Sequence, residues 1–255
     1  MMEPVDDVSV GHWIQPRLST SWGSLTAVVP SGFDAYVRVL HPVDVDGTDV
    51  VRWGDVAAVT GRHVHPLVQW WRLIDATHSV NPRSELWDGG EPDIGSLDPP
   101  DNQRLVDLLA GHTTSPDNAY FAVWEGNGFF HAGATVIYSA GKSQSRPAPV
   151  VSPARELISG PRLRHPGRDY VLLSGPLREA STIPDLLGAK PWTPSANLVW
   201  PQDHSWCIAT EVDFDSTLVG CSRAAAKEIL ACPDLESFPI NPNDSLQYDA
   251  DVVNV

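Results

Sequence analysis

Lysine is nearly missing from this chain: three Lys stand beside fourteen Arg, and these 17 basic residues face 32 Asp and Glu, for a formal net charge of -15. A surface of that sign repels a phosphate backbone and an anionic membrane, so neither nucleic acid nor membrane is expected as a partner. Cysteine is scarce as well. Cys207, Cys221 and Cys232 form no C-x-x-C pair and leave an odd count, which fits reduced, buried thiols better than a disulfide framework. No run approaches ~18 consecutive apolar residues, and the start MMEPVDDVSVGHWIQPRL is acidic where a secretory leader needs basic residues followed by an apolar stretch. A soluble, cytoplasmic protein is the expectation.

The common chemical signatures are missing too. The chain has no G-x-S-x-G elbow, no phosphate-binding P-loop, no G-x-G-x-x-G and no H-E-x-x-H. His63 and His65 share one side of an extended RHVHP segment and His41 is a third imidazole, but no further ligand of determinable position joins them. Neither a metal nor a cofactor is expected.

What is present is enough apolar material for a sizeable core: 42% of 255 residues, with ten Trp. Residues 1–20 carry no clear period and read as a loosely ordered N-terminal arm, ahead of a single α+β domain over 21–255. Strands are expected near residues 25, 36, 120, 132, 170, 206 and 217, where β-branched and aromatic residues alternate between turn signals. Helices are expected near 66, 103 and 222, with a short one over WGDVAAVT. HPLVQWWRLIDATH has Pro66 in the first turn and apolar residues three and four apart, DNQRLVDLLAG ends on Gly111, and Ser222 can cap RAAAKEILA. The residues from 81 to 100 are rich in Pro and Gly and read as a long surface loop, and the Ser/Pro-rich 141–153 segment is the candidate internal boundary. The sum is a mainly antiparallel, twisted sheet with helices on one side.

VDFDSTLVG, residues 212–220, resembles the D-x-D-x-T nucleophile motif of haloacid dehalogenase-like phosphatases, with Asp213, Asp215 and Thr217 in the three positions. In that family each later motif sits on another parallel strand reached through a helical crossover, and 38 residues after Thr217 leave room for one helix and one short strand. The preceding strand holds Thr210 and Glu211, as an antiparallel strand with one wetter face would. A hairpin using both Asp as turn formers is the simpler reading. The hydrolase or phosphatase-like alternative rests on Asp213 and Asp215 with Glu211 and His204.

Two aromatic-acidic clusters are candidates for a ligand site: Trp124-Glu125 before a glycine turn, and Trp200, Asp203 and Trp206 in WPQDHSW. The phrases YFAVWEGNG, RDYVLLSGPL and ANLVWPQDHSWCIATEVDFDSTLVG resemble a family of high-GC actinobacterial proteins to which no activity is assigned, so the likeness carries over no catalytic residue. The W-E-G-x-G turn is also similar to one in the SUKH superfamily, whose members are often acidic α+β immunity and regulatory proteins. That likeness implies a cytoplasmic binding or regulatory protein whose acidic surface meets a basic protein partner.

Overall fold

The computed structural model describes residues 2–21, 23–45, 49–80, 82–127, 130, 160–187 and 194–255. Its strands are β1 (Glu3–Pro4), β2 (Ala35–Leu40), β3 (Val43–Val45), β4 (Asp49–Val51), β5 (Ala119–Trp124), β6 (Leu163–His165), β7 (Arg168–Gly175), β8 (Leu198–Pro201), β9 (Cys207–Ala209), β10 (Ser216–Cys221) and β11 (Ser237–Pro239). The α-helices are α1 (Trp53–Thr60), α2 (Trp70–Leu73), α3 (Pro99–Ala110), α4 (Ile183–Leu186) and α5 (Arg223–Ala231). This is the expected α+β class. Nine strands form one antiparallel sheet in the order β1-β7-β5-β8-β9-β10-β2-β11, with β6 also on β7, and β3 and β4 make a separate hairpin.

Strand alternation sorts the sheet's side chains into two layers. Val37, Val39, Phe121, Val123, Val171, Leu173, Ile208 and Val219 face Leu105, Val106 and Leu109 of α3 and Ala225, Ala226 and Ile229 of α5. Those two helices cover one side, as expected. Helix α3 starts at Pro99, two residues before the expected Asp101, because two prolines in the first turn lose no helical hydrogen bond. Ser222 caps α5 by accepting from the Ala225 N–H at 3.2 Å.

The opposite side is covered by the segment expected to be a loose arm, together with the stretch up to Val29 that follows it. Ile14, Leu25 and Val29 are buried against Tyr36, Ala122, Leu172, Leu198, Trp200 and Leu218, and Glu3–Pro4 pairs with Leu173–Ser174. The chain gets there through short 3-10 turns at Val8–Gly11, Gln15–Arg17 and Leu25–Ala27. Such turns leave neither a 3.6 nor a 2 period, which is why the segment reads as unpatterned. The strand expected near residue 25 is one of these turns. The helix expected from residue 66 is also shorter: Val68 N–H donates to the His65 carbonyl in a turn, and helix begins only at Trp70. The Pro66 and Val68 carbonyls are held instead by Arg38, as described below. The strand expected near 132 and the 141–153 boundary lie outside the described residues.

A third apolar cluster, Leu40, Val43, Trp53, Val56, Val68, Trp70, Leu73 and Ile74, packs α1, α2 and the β3–β4 hairpin at the Leu40 end of β2. Helix α1 starts at Trp53, with Asp55 at its third position reaching back to the Arg52 N–H, and ends on Gly61 in the left-handed region. Arg52 then clasps the buried Asp101 of α3 with both terminal nitrogens, tying α1 to the main layer.

The polar centre of the molecule is Arg38, 1% exposed in the middle of β2. Its Nε donates to Ser216 Oγ at 2.9 Å, Nη1 to the carbonyls of Pro66 at 3.0 Å and Val68 at 2.9 Å, and Nη2 to Asp215 Oδ1 at 3.3 Å. Behind it, His41 Nδ1–H donates to the Asp93 carbonyl at 2.6 Å, which fixes the tautomer so that Nε2 accepts from Thr217 Oγ1 at 2.9 Å. Thr217 Oγ1 in turn accepts from the Thr210 hydroxyl at 2.8 Å. The C-terminus is held by Asp251, fully buried, which accepts from His65 Nε2 at 2.8 Å and from the Asn254 and Val253 N–H groups at 3.0 Å.

Two predictions follow from these buried charges and rings. Replacing Arg38 with Ala removes the cation that pairs with Asp215 and the donor to Ser216 and two carbonyls, and is expected to cost about 3–5 kcal/mol of stability in urea unfolding. Burial pushes His41 down to about 4, so the folded state stays neutral where the unfolded chain protonates near its ordinary value of 6.5. Its contribution is complete above pH 6.5 and is lost as pH falls towards 4, a loss on the order of 3 kcal/mol. Hydrogen bonds that outweigh burial hold Asp251 at about 2, so its share is complete above the ordinary carboxylate value and lost only as pH falls from there towards 2. Urea midpoints measured between pH 7 and 3 are expected to fall in these two stages, and His41→Gln to flatten the first.

Candidate functional site

Most of the residues singled out from sequence occupy three separate places. Trp206 is fully buried on the helix-covered side, its indole N–H donating to the Leu109 carbonyl at 2.9 Å, so it anchors α3. Trp200 is fully buried on the opposite side, stacked on Tyr120 with ring centroids 5.5 Å apart. Asp203 closes the turn between them. Its Oδ2 accepts from the Thr114 N–H at 2.7 Å and from the Thr113 and Thr114 hydroxyls at 2.8 Å, and its Oδ1 from the Ser205 N–H at 3.1 Å. Burial opposes the charge on Asp203, but these donors win and hold its carboxyl far below the usual carboxylate range. His204, at a positive φ of 55°, stacks on Trp13 at 4.4 Å. Trp200 and Trp206 thus lie in the two cores, and Asp203 ties the turn between them to Thr113 and Thr114.

Asp215 belongs to the second place. It is the counter-ion of Arg38, and its backbone carbonyl accepts the His41 N–H at 2.9 Å. Burial raises its pKa even with Arg38 beside it. Asp213 points elsewhere, so the two carboxylates of the D-x-D pair do not converge. A lysine follows the motif at Lys227 in α5, but it lines a groove with Tyr36 towards the end of β2 away from Leu40, whereas Asp215 sits at the Leu40 end. β9 and β10 form the antiparallel hairpin expected from sequence, with the chain reversing at Glu211–Phe214.

The third place joins residues from both candidate sets. Arg168, at the start of β7, donates from Nη2 to Glu211 Oε1 at 2.7 Å and to Asp213 Oδ2 at 3.0 Å, and from Nε to Glu211 Oε1 at 3.0 Å. Its guanidinium lies over the Trp124 ring, 5.4 Å from the centroid. Partial burial works against this cation, but Glu211 and Asp213 outweigh it and raise its pKa, so it stays charged. The reach is possible because β8 begins only at Leu198, leaving the last residues of β5 without a strand partner on that side. Asn197 fills the gap: its Oδ1 accepts the Trp124 N–H at 2.8 Å and its Nδ2 donates to the Thr210 carbonyl at 3.1 Å. Glu125, next to Trp124, pairs with Arg162 at 2.8 Å.

Arg168, His165 and Tyr170 were not singled out from sequence. They stand on the β6–β7 hairpin, whose two-residue Pro166-Gly167 turn puts His165 opposite Arg168 and Leu163 opposite Tyr170. The HPGR turn signal was available; what it gave no hint of was the partner, 43 residues further on. Burial lowers His165 to about 4, leaving the ring neutral at pH 7, and raises the Tyr170 hydroxyl beyond its ordinary range.

Next to this corner runs the loop from Pro82 to Asp98. It is pinned at four points: the Val43–Pro92 bridge, the Asp93 carbonyl on His41, the Gly95 N–H on the Phe214 carbonyl at 2.8 Å, and Ser96 on Ser195. Gly95 has a φ of 79°, and a Cβ there would stand 2.6 Å from the Val212 carbonyl oxygen, so only glycine passes beneath the turn that carries Asp213. The loop therefore continues the surface of that corner. It displays the exposed carboxylates of Glu85, Asp88 and Glu91 beside the exposed side chains of Leu86 and Ile94.

His41, His63 and His65 do not assemble: His41 is sealed against Thr217 and Asp93, while His65 holds Asp251. Cys207 and Cys221 face opposite layers, and both thiols are free and pushed up by burial. Chemically, the Arg168 corner and the loop offer a fixed acidic and apolar face with the carboxylates of Glu211 and Asp213 tied to one guanidinium. Comparison of the chain with protein-family models, curated proteins and solved structures gives no match. Gly95→Ala is expected to cost about 2 kcal/mol through the left-handed backbone and the contact with Val212. It should also raise amide exchange and proteolysis across 82–98 while leaving the β5–β7 core protected.

Proposed function

We propose that this protein is a binding or regulatory protein whose acidic surface meets a basic protein partner, in the manner of an immunity-type protein covering a toxin. The observation that carries the reading is the 82–98 loop, which is long, pinned to the fold through residues 92–96, and presents the exposed carboxylates of Glu85, Asp88 and Glu91 around the exposed side chains of Leu86 and Ile94. Ordered loops of this length without helix or strand are uncommon unless they do something. Apolar side chains among mainly acidic charge, with Arg83 the one exposed cation of the loop, are a usual composition for a contact with a basic protein. Carboxylates tied to Arg38 and Arg168 favour this reading over hydrolysis, because an attacking or proton-transferring carboxylate has to face a substrate. Among the described residues, no helix is long and apolar enough to cross a membrane.

The test is charge reversal in the loop. Affinity purification from the source cell at low salt is expected to bring down a basic protein with the unaltered chain, and to lose it with Glu85→Arg/Asp88→Arg/Glu91→Arg. The melting temperature should be unchanged, since all three side chains are exposed. Retention of every partner by the reversed variant would sink the proposal. So would hydrolysis of a phosphomonoester by the purified chain that disappears in Asp213→Asn.

A further inference from the structure

Among the described residues, one groove combines an apolar floor with two exposed cations in an otherwise acidic molecule. A shallow groove of about 390 Å³ lies between α5 and the edge strand β11, open on its solvent side. Its floor is apolar: Ala35, Ala226, Leu230, Pro239 and the ring of Tyr36. Arg223 and Lys227 stand on its rim, both exposed. Neither makes an ion pair with a described residue, whereas Arg38, Arg52, Arg62, Arg104, Arg162, Arg168 and Arg178 each hold a carboxylate. In a chain of net charge -15, leaving two cations unneutralised on one apolar groove calls for an anionic occupant.

We infer that this groove docks an acidic segment of a partner polypeptide, one that presents two carboxylates to Arg223 and Lys227 and an apolar side chain to the floor between them. The two cations are four residues apart on one helix, about 6 Å along its axis. Carboxylates four residues apart on a helix are spaced about 6 Å along its axis, with the residue three on from the first beside them on the same face, so a helical acidic segment matches the rim and the floor. The groove is too open to enclose a small molecule, which favours side chains delivered by a larger body. The receptor side is already in place: Ser222 caps α5, Ala225 and Ile229 root it in the core, and the Tyr36 hydroxyl is fixed between the Phe33 N–H and the Pro30 carbonyl, each at 3.2 Å. Binding would need little reordering of this face. The site lies beyond the acidic-loop contact and takes a partner segment of the opposite charge, so either can fail alone.

The test uses the full chain and a fluorescein-labelled peptide of alternating Glu and Leu, read by anisotropy, with Lys-Leu and Glu-Ser peptides as controls. Saturable binding of the Glu-Leu peptide is expected, weakened by added salt as exposed charge pairs are. Affinity should fall at least about tenfold in Arg223→Glu/Lys227→Glu, about 1.4 kcal/mol or more, and several-fold in Leu230→Ser. Both cations are exposed, so the melting temperature should stay put; if the reversal unfolds the chain, Arg223→Gln/Lys227→Gln is expected to weaken binding several-fold instead. No saturable binding, equal binding of the Lys-Leu peptide, or affinity unchanged in the charge variants would overturn the inference. It would equally be overturned if the peptide failed to bind and these residues instead governed adsorption to phosphatidylglycerol vesicles or concentration-dependent self-association in sedimentation velocity. In those cases the occupant is a lipid surface or a second copy.

Discussion

A guanidinium that is 1% exposed in the centre of a sheet has to be met by acceptors, because a buried cation without them costs far more than a domain's stability allows. Arg38 finds four: Ser216 at the start of the neighbouring strand β10, Asp215 just before it, and the Pro66 and Val68 carbonyls from the segment before α2. Much else is placed by that requirement. The Pro66 and Val68 carbonyls point at the sheet, so the segment turns there instead of winding into helix. Asp215 is drawn to the guanidinium, away from Asp213, and Val68, whose carbonyl it holds, joins Trp70 in the third apolar cluster. His65, three residues before Val68, is left to receive Asp251 and with it the C-terminal residues.

The same requirement explains why a complete D-x-D-x-T sequence behaves as architecture. A nucleophilic carboxylate must face substrate, whereas Asp215 faces Arg38, Asp213 faces Arg168, and Thr217 faces His41. Three residues that alternate along one hairpin are handed to three partners from different parts of the chain. The hairpin thereby joins β2, β7 and the long acidic loop, and its outer turn becomes part of the surface proposed to meet a partner. Among the described residues, eight of the twelve arginines form ion pairs, and Arg223 and Lys227 are cations without one that share a single apolar groove.

Elements with a local period were legible in the sequence. The alternation in AYFAVW and RDYVLLSG marks β5 and β7, the leucines of DNQRLVDLLAG mark α3, and Ser222 before an Ala-rich run marks α5. Antiparallel pairing of β9 with β10 followed from how little chain remains after Thr217. The cover over the second face was not legible, because 3-10 turns bury Ile14 and Leu25 without a repeat. Pro66 looked like a first-turn proline, yet a distant arginine decided what its carbonyl does. Of the site, Trp124 was visible as an aromatic at a strand end and Glu211 as a polar residue on a mixed face, but their meeting depends on Arg168 crossing the gap where β8 starts late. Pairings that span tens of residues and turn on the end of a neighbouring strand leave no mark in local pattern.

The claim that most of this rests on is that Asp215 is the counter-ion of Arg38. A double-mutant cycle in urea with Arg38→Met, Asp215→Asn and the pair measures it directly. A coupling of at least about 1 kcal/mol, with the double variant less destabilised than the sum of the singles, is the expected result. Additive effects of the two substitutions would contradict it.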